Sequence, residues 1–180
     1  TLFIFLGAVL VHSARADQTL TVHSPDGNMQ LILLHQSDGA LHYSVIYKGR
    51  RSIASSGMGM KLKSPEALLV KFDLPGIDSS VVDENWKPVW GEVSTIRNHY
   101  RQIILKLVDR SGSGIQLHVI FRVFNDGVGF RYVFPQQPKL NHFIIAEELT
   151  QFAMTGDHNV FWIPGDYDTN EFKYNSSKLS

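Results

Sequence analysis

Ile115-Gln116-Leu117-His118-Val119-Ile120-Phe121-Arg122-Val123-Phe124-Asn125-Asp126-Gly127-Val128 is the stretch on which the fold turns. Ile115, Leu117, Val119, Phe121 and Val123 alternate without a miss against Gln116, His118 and Arg122, the two-residue period of a strand with one buried face. Asn125-Asp126-Gly127 follows, and residues that tolerate positive φ match the twist of paired strands, so a hairpin is expected there. Residues 128–134 make the return strand, which Pro135 stops. Upstream, residues 97–108 hold Ile103, Leu105 and Leu107 in phase, and Asp109-Arg110-Ser111-Gly112-Ser113-Gly114 turns that strand into the next.

The same grammar extends towards the N-terminus. Residues 19–24 read as a short strand ended by Pro25-Asp26-Gly27, and residues 29–35 as one apolar enough to be covered on both faces. Leu41, Tyr43, Val45 and Tyr47 line one face of a further strand while His42, Ser44 and Lys48 line the other; Lys48-Gly49 makes the following turn. Residues 64–82, with Pro65, Pro75 and Gly76, read as loops around a short strand at 68–72. Consecutive hairpins with no 3.6-residue period give an all-β chain, an antiparallel β-sandwich.

Seventeen basic residues balance seventeen acidic ones, so no electrostatic case for a nucleic-acid partner exists. The chain lacks cysteine, which removes thiol chemistry and disulfides together. It opens on Thr1 and runs apolar from Leu2 to Val11, the length of a leader's hydrophobic region and too short to span a bilayer. Ala14-Arg15-Ala16 supplies the small residues of a cleavage site before Asp17. Residues 1–16 are therefore expected to be a signal peptide without its basic start. Residues 17–180 are expected to be an exported domain, periplasmic or extracellular, with no membrane span once mature.

Few residues show the spacing of a reaction centre. The eight histidines are dispersed and none falls in a zinc spacing. Gly57-Met58-Gly59 and Gly112-Ser113-Gly114 lack the strand-to-helix setting of a phosphate loop. Trp86, Trp90, His99 and Tyr100 form an aromatic group of the kind that stacks on sugar rings, although tryptophan in a sandwich more often fills a core or anchors a loop. Hard oxygen donors concentrate near the end, at Glu147-Glu148, Asp157-His158 and Asp166 to Glu171. Asp166, Asp168 and Asn170 imitate the start of a calcium hand loop, but Glu171 stands at its sixth position and Ser177 at its twelfth, where the hand needs Gly and Glu. Two readings stay open, a solvated loop or a carboxylate serving a calcium assembled from distant parts of a longer chain. The Asn175-Ser176-Ser177 sequon is read as a chance match.

Four motifs carry a resemblance: Trp86-Lys87-Pro88-Val89-Trp90-Gly91-Glu92, Ile96-Arg97-Asn98-His99-Tyr100, the run from Phe121 to Gln137, and Phe161-Trp162-Ile163-Pro164-Gly165-Asp166-Tyr167-Asp168-Thr169-Asn170-Glu171. In this order, with Ser24-Pro25-Asp26-Gly27-Asn28 before them, they resemble glycoside hydrolase family 97. The resemblance implies a galactose-mutarotase-like super-sandwich, incomplete at its C-terminal end, that precedes a catalytic (β/α)8 barrel absent from this chain. It implies that the catalytic carboxylates lie in that barrel and none here, and that Glu171, in the Pro-Gly-Asp-Tyr-Asp-Thr-x-Glu motif, is a Ca2+ ligand of the active site. It also implies a calcium-dependent α-glycosidase acting on α-linked oligosaccharides. The first two motifs look closer to the α-glucosidase than to the α-galactosidase branch. The partners implied are that substrate and the chain's own barrel. A free-standing carbohydrate-binding module without catalysis is the alternative.

Overall fold

The computed structural model describes residues 16–138 and 140–180. The expected leader therefore lies, but for Ala16, outside the described residues. Among the described residues every regular element is a strand. β1 (Gln18–His23), β2 (Met29–His35), β3 (Leu41–Tyr47) and β4 (Arg50–Gly57) form one antiparallel sheet in chain order. β5 (Met60–Ser64) and β6 (Glu66–Leu69) form a hairpin, followed by β7 (Phe72–Trp86), β8 (Ile96–Asp109), β9 (Gln116–Val123) and β10 (Val128–Val133), which meander into a second sheet. β11 (Ile144–Glu148) pairs with β5, and β12 (Asn159–Trp162) pairs only with β13 (Asn175–Lys178).

The two four-stranded sheets lie face to face, β1 against β8 and β2 against β9. Leu31 and Leu33 from β2, Leu41 and Tyr43 from β3, Leu105 and Leu107 from β8, and the odd-numbered residues 117–123 of β9 make one core. Leu62 and Leu69 bring the β5–β6 hairpin into it. Phe121 is fully buried at its centre, 5.6 Å from the Phe130 ring and 6.1 Å from Tyr43. Burying such a ring stabilises the fold by roughly 1.5–3 kcal/mol relative to leaving it in water.

Several expectations hold in outline and differ in cause. Lys48 and Gly49 take φ of 48° and 75° between the paired residues Tyr47 and Arg50, the two-residue hairpin whose twist matches its strands. The Asn125-Asp126-Gly127 hairpin forms too, but none of its residues has positive φ; Phe124 N–H donates to Gly127 O at 2.8 Å across a four-residue loop. β2 is buried on one face only, with Ile32 and Leu34 half-buried on the other. Ser44, expected to face solvent, is buried where β4 carries extra residues opposite it, and Tyr47, expected inside, is exposed at the end of β3 beside the Lys48-Gly49 turn.

The largest correction falls at residues 64–82. Where loops were expected, β7 runs fifteen residues through Pro75-Gly76. The ladder slips between Asp73 and Gly76, and β7 lies at the sheet edge, so proline's missing N–H leaves no inner neighbour unpaired. β9 pairs with β8 only from Arg101 to Val108, so the β7–β8 ladder continues beyond the sheet as a two-stranded arm ending at Trp86 and Ile96.

Candidate functional site

The acidic motif sits between β12 and β13, whose ladder runs from Asn159↔Lys178 to Trp162↔Asn175. Asp166 Oδ1 accepts from the N–H groups of Asp168 (2.8 Å) and Thr169 (3.3 Å), and Thr169 Oγ1 accepts from the N–H of Glu171 (3.0 Å). Short polar side chains thus shape the loop by bonding their own backbone two or three residues on. One oxygen of the Asp166 carboxylate is occupied by that task. The Glu171 carboxylate is exposed and has no hydrogen-bond or ion-pair partner among the described residues.

The other acids counted with this motif stand elsewhere. Glu147 and Glu148 lie on β11 opposite Lys61 and Met60, and Asp157 Oδ1 accepts from Ser180 N–H at 3.1 Å. Among the described residues no three of His, Asp or Glu come together as a metal cluster. A calcium centre takes six to eight oxygens, and the acids of the described residues are not gathered to supply them from one place. A hard, exposed carboxylate committed to nothing else does fit the part of one donor to such a centre. The same segment exposes Phe161, Trp162, Tyr167, Phe172 and Tyr174.

The aromatic group expected from Trp86, Trp90, His99 and Tyr100 does not assemble. Trp86 closes β7 at 50% exposure, and Trp90 in the tip of the arm is 88% exposed, so neither fills a core. Tyr100 is only 5% exposed, packed 5.0 Å from the Phe124 ring. His99 pairs across the ladder with Asp83, which Arg97 holds by two 2.7 Å bonds. Those bonds, with the Arg97 charge, keep the Asp83 carboxyl below the usual carboxylate range.

One feature of the second sheet escaped the sequence reading. A groove of about 250 Å³ on its outer face is lined by Ile120, Arg122, Phe124, Gly129, Phe130 and Arg131. The available signal was Gly129, a glycine inside an otherwise well-patterned strand. No helix among the described residues is long and apolar enough to cross a membrane.

Comparison with known proteins bears on the whole chain. The family described as glycosyl-hydrolase 97 N-terminal matches residues 22–180. A retaining alpha-galactosidase of Bacteroides thetaiotaomicron is 26% identical over 99% of this chain and 27% of its own length. A glycoside hydrolase family 97 enzyme of Pseudoalteromonas sp. strain K8, solved in complex with panose and with acarbose, superposes with a TM-score of 0.79 at 30% identity, over 89% of this chain and 24% of that one. A beta-arabinopyranosidase gives a TM-score of 0.70 at 26% identity, over 80% of this chain and 22% of that one. The chain spans about a quarter of the length of these proteins.

Proposed function

The chain belongs to glycoside hydrolase family 97 as N-terminal-domain sequence, and from that premise we propose that it serves an exported, calcium-dependent α-glycosidase by buttressing the catalytic portion and lending it Glu171. The observation that carries this reading is the pairing of a match across residues 22–180 with an exposed carboxylate that nothing among the described residues engages. An unpaired carboxylate in a loop fixed by Asp166 and Thr169 offers a metal a donor whose backbone is already ordered. Calcium, when bound, supplies a Lewis acid and a structural tie between segments. Glu171 offers an exposed carboxylate, and Asp166 fixes the turn that precedes it.

We take the substrate class to be α-glucosides, because a relative at 30% identity binds panose and acarbose. The retaining alpha-galactosidase at 26% identity marks the alternative that the same experiment resolves. The full-length polypeptide is assayed on nitrophenyl α-glucoside and α-galactoside, with calcium titrated. Faster turnover of the glucoside supports the specificity, and faster turnover of the galactoside replaces it.

Glu171→Gln in that protein is expected to lower kcat/KM by on the order of 10–100-fold, with partial rescue by excess calcium. Glu147→Gln is expected to change little. Wild-type calcium affinity and activity in the Glu171→Gln enzyme would return Glu171 to the status of a loop carboxylate. Residues 17–180 alone are expected to hydrolyse neither substrate and to bind calcium poorly. N-terminal sequencing of the exported protein checks a start at Asp17.

A further inference from the structure

The outer face of the second sheet carries two arginines that the proposed role does not use. In one row across the strands lie Gln102, Arg122 and Gly129; in the next lie Asp78, Ile104, Ile120 and Arg131. Arg122 and Arg131 therefore stand on neighbouring strands, one row apart, and both line the outer groove. Like charges at such a spacing repel unless something neutralises them.

The carboxylates of this face do not. Asp78 is bound by Lys106 at 2.8 Å, and Glu84 accepts from Asn98 at 2.7 Å. Neither arginine has an ion-pair partner among the described residues.

Arg122 is also held in place. Its Nε donates to Gln102 Oε1 at 3.0 Å, and its guanidinium carbon lies 4.5 Å from the centroid of the Tyr100 ring. Tyr100 is itself buried against Phe124. A guanidinium fixed by stacking and by one side hydrogen bond loses little entropy when its remaining N–H groups take a partner. Gly129 leaves the space open, since no heavy atom lies within 4 Å of where its Cβ would stand. Ile120, Phe124 and Phe130 make the walls apolar, which suits the methylene stem of a side chain better than a hydrated free anion.

We infer that this groove receives the carboxylate of an aspartate or glutamate from the part of the same polypeptide outside residues 1–180, as an interdomain anchor separate from Glu171. This rests on the reading of the chain as one domain of a longer hydrolase. The relatives are about four times its length, so most of the protein able to cover this face lies outside the chain. Paired charge-assisted bonds from two guanidiniums to one carboxylate are the contact expected.

The test uses the full-length enzyme carrying Arg131→Lys, treated with a carbodiimide that joins an amine to a carboxylate in contact with it, losing water. The expected product is an amide from the amine introduced at position 131 to an aspartate or glutamate outside residues 1–180. Adding Gly129→Val, which fills the groove at a strand position that favours valine, is expected to reduce that product on the order of ten-fold. In the unmutated enzyme, phenylglyoxal is expected to modify Arg131 about ten-fold more slowly than the exposed Arg50 and Arg51. Equal rates at the three arginines would overturn the anchor. So would amides formed only within residues 1–180 or only between isotopically heavy and light copies, or protection that requires added phosphate. Arg131 open in an enzyme that hydrolyses α-glycosides rejects the anchor and leaves the function; the amide in a polypeptide without that activity does the reverse.

Discussion

Residues 16–155 and residues 156–180 are built from the same kind of strand and owe their order to different things. In the first region each sheet buries a face against the other, and its core side chains reach zero exposure. After Leu140 no residue is buried, yet residues 149–155 remain tied to the sandwich by a strap of hydrogen bonds. Leu149 N–H donates to Gly59 O, Gln151 N–H to Gly57 O and Ala54 N–H to Ala153 O, while Tyr43 Oη donates to Gln151 O at 2.7 Å. The last region has the four-residue ladder of β12 and β13, hydrogen bonds local to it, and aromatic side chains left exposed. An isolated two-stranded hairpin is marginal in water. The difference teaches that the region carrying Glu171 is held by short-range hydrogen bonds along its own chain, whereas the sandwich is held by burial.

The most severe way to break that contrast is to hollow the core. Phe121→Ala removes a fully buried ring between Tyr43 and Phe130 and is expected to cost about 3–5 kcal/mol. Phe161→Ala removes a ring of the same size from β12, where it is 73% exposed, and is expected to shift stability by less than about 0.5 kcal/mol. Urea denaturation of the two variants gives the comparison directly. Equal losses would mean that β12 packs on the sandwich.

The sequence was legible where burial alone decides. β9 alternates because one face meets the other sheet, and that pattern survives in the residues themselves. β7 was illegible because this edge strand is exposed along most of its length, so Ser79, Ser80, Asp83 and Glu84 obey no period, and Pro75 falls where a bulge absorbs it. β11 to β13 are short and exposed, and no burial pattern marks them. Glu171 is singled out only by resemblance, since its spacing from Asp166 and Asp168 matches no self-contained metal loop. Trp86 and Trp90 misled for a related reason: their chemistry says buried, and the arm holds them in solvent.

A milder perturbation sharpens the boundary between strap and hairpin. Ser56 is fully buried; its Oγ accepts from Ala153 N–H at 2.9 Å and donates to Ala54 O at 2.9 Å. Ser56→Ala leaves the Ala153 N–H without its partner, at a cost of about 1–3 kcal/mol. Limited proteolysis is expected to show new cutting within residues 149–155 while the β2–β3 and β8–β9 ladders stay protected. A loss of protection across all of them would mean that strap and sandwich unfold as one unit.

The smallest expected effect is a difference in alkaline sensitivity, and it probes the same strap. Tyr132 Oη lies 2.7 Å from Thr150 Oγ1, which donates to Glu148 Oε1 at 2.8 Å, so the phenol is the donor to the threonine. Burial raises the Tyr132 phenol above its ordinary value of 10.0, and the Glu148 charge adds to this against the lowering by its hydrogen bonds to Thr150 and Gly59. A raised folded-state value means that the folded chain holds its proton more tightly than the unfolded one. The stabilisation is complete below the unfolded tyrosine value and is lost as pH rises through the folded one. Tyr43 shifts the same way, again chiefly by burial. Tyr132→Phe keeps the ring but removes the ionisable hydroxyl, so it is expected to lower the melting temperature slightly at pH 7 and to flatten its decline above about pH 10. Parallel thermal melts of the two proteins by circular dichroism, from pH 7 to pH 11, measure the difference. Curves of equal slope would show that the Tyr132–Thr150–Glu148 chain is already open in the folded protein, leaving the strap to its backbone bonds and to Ser56.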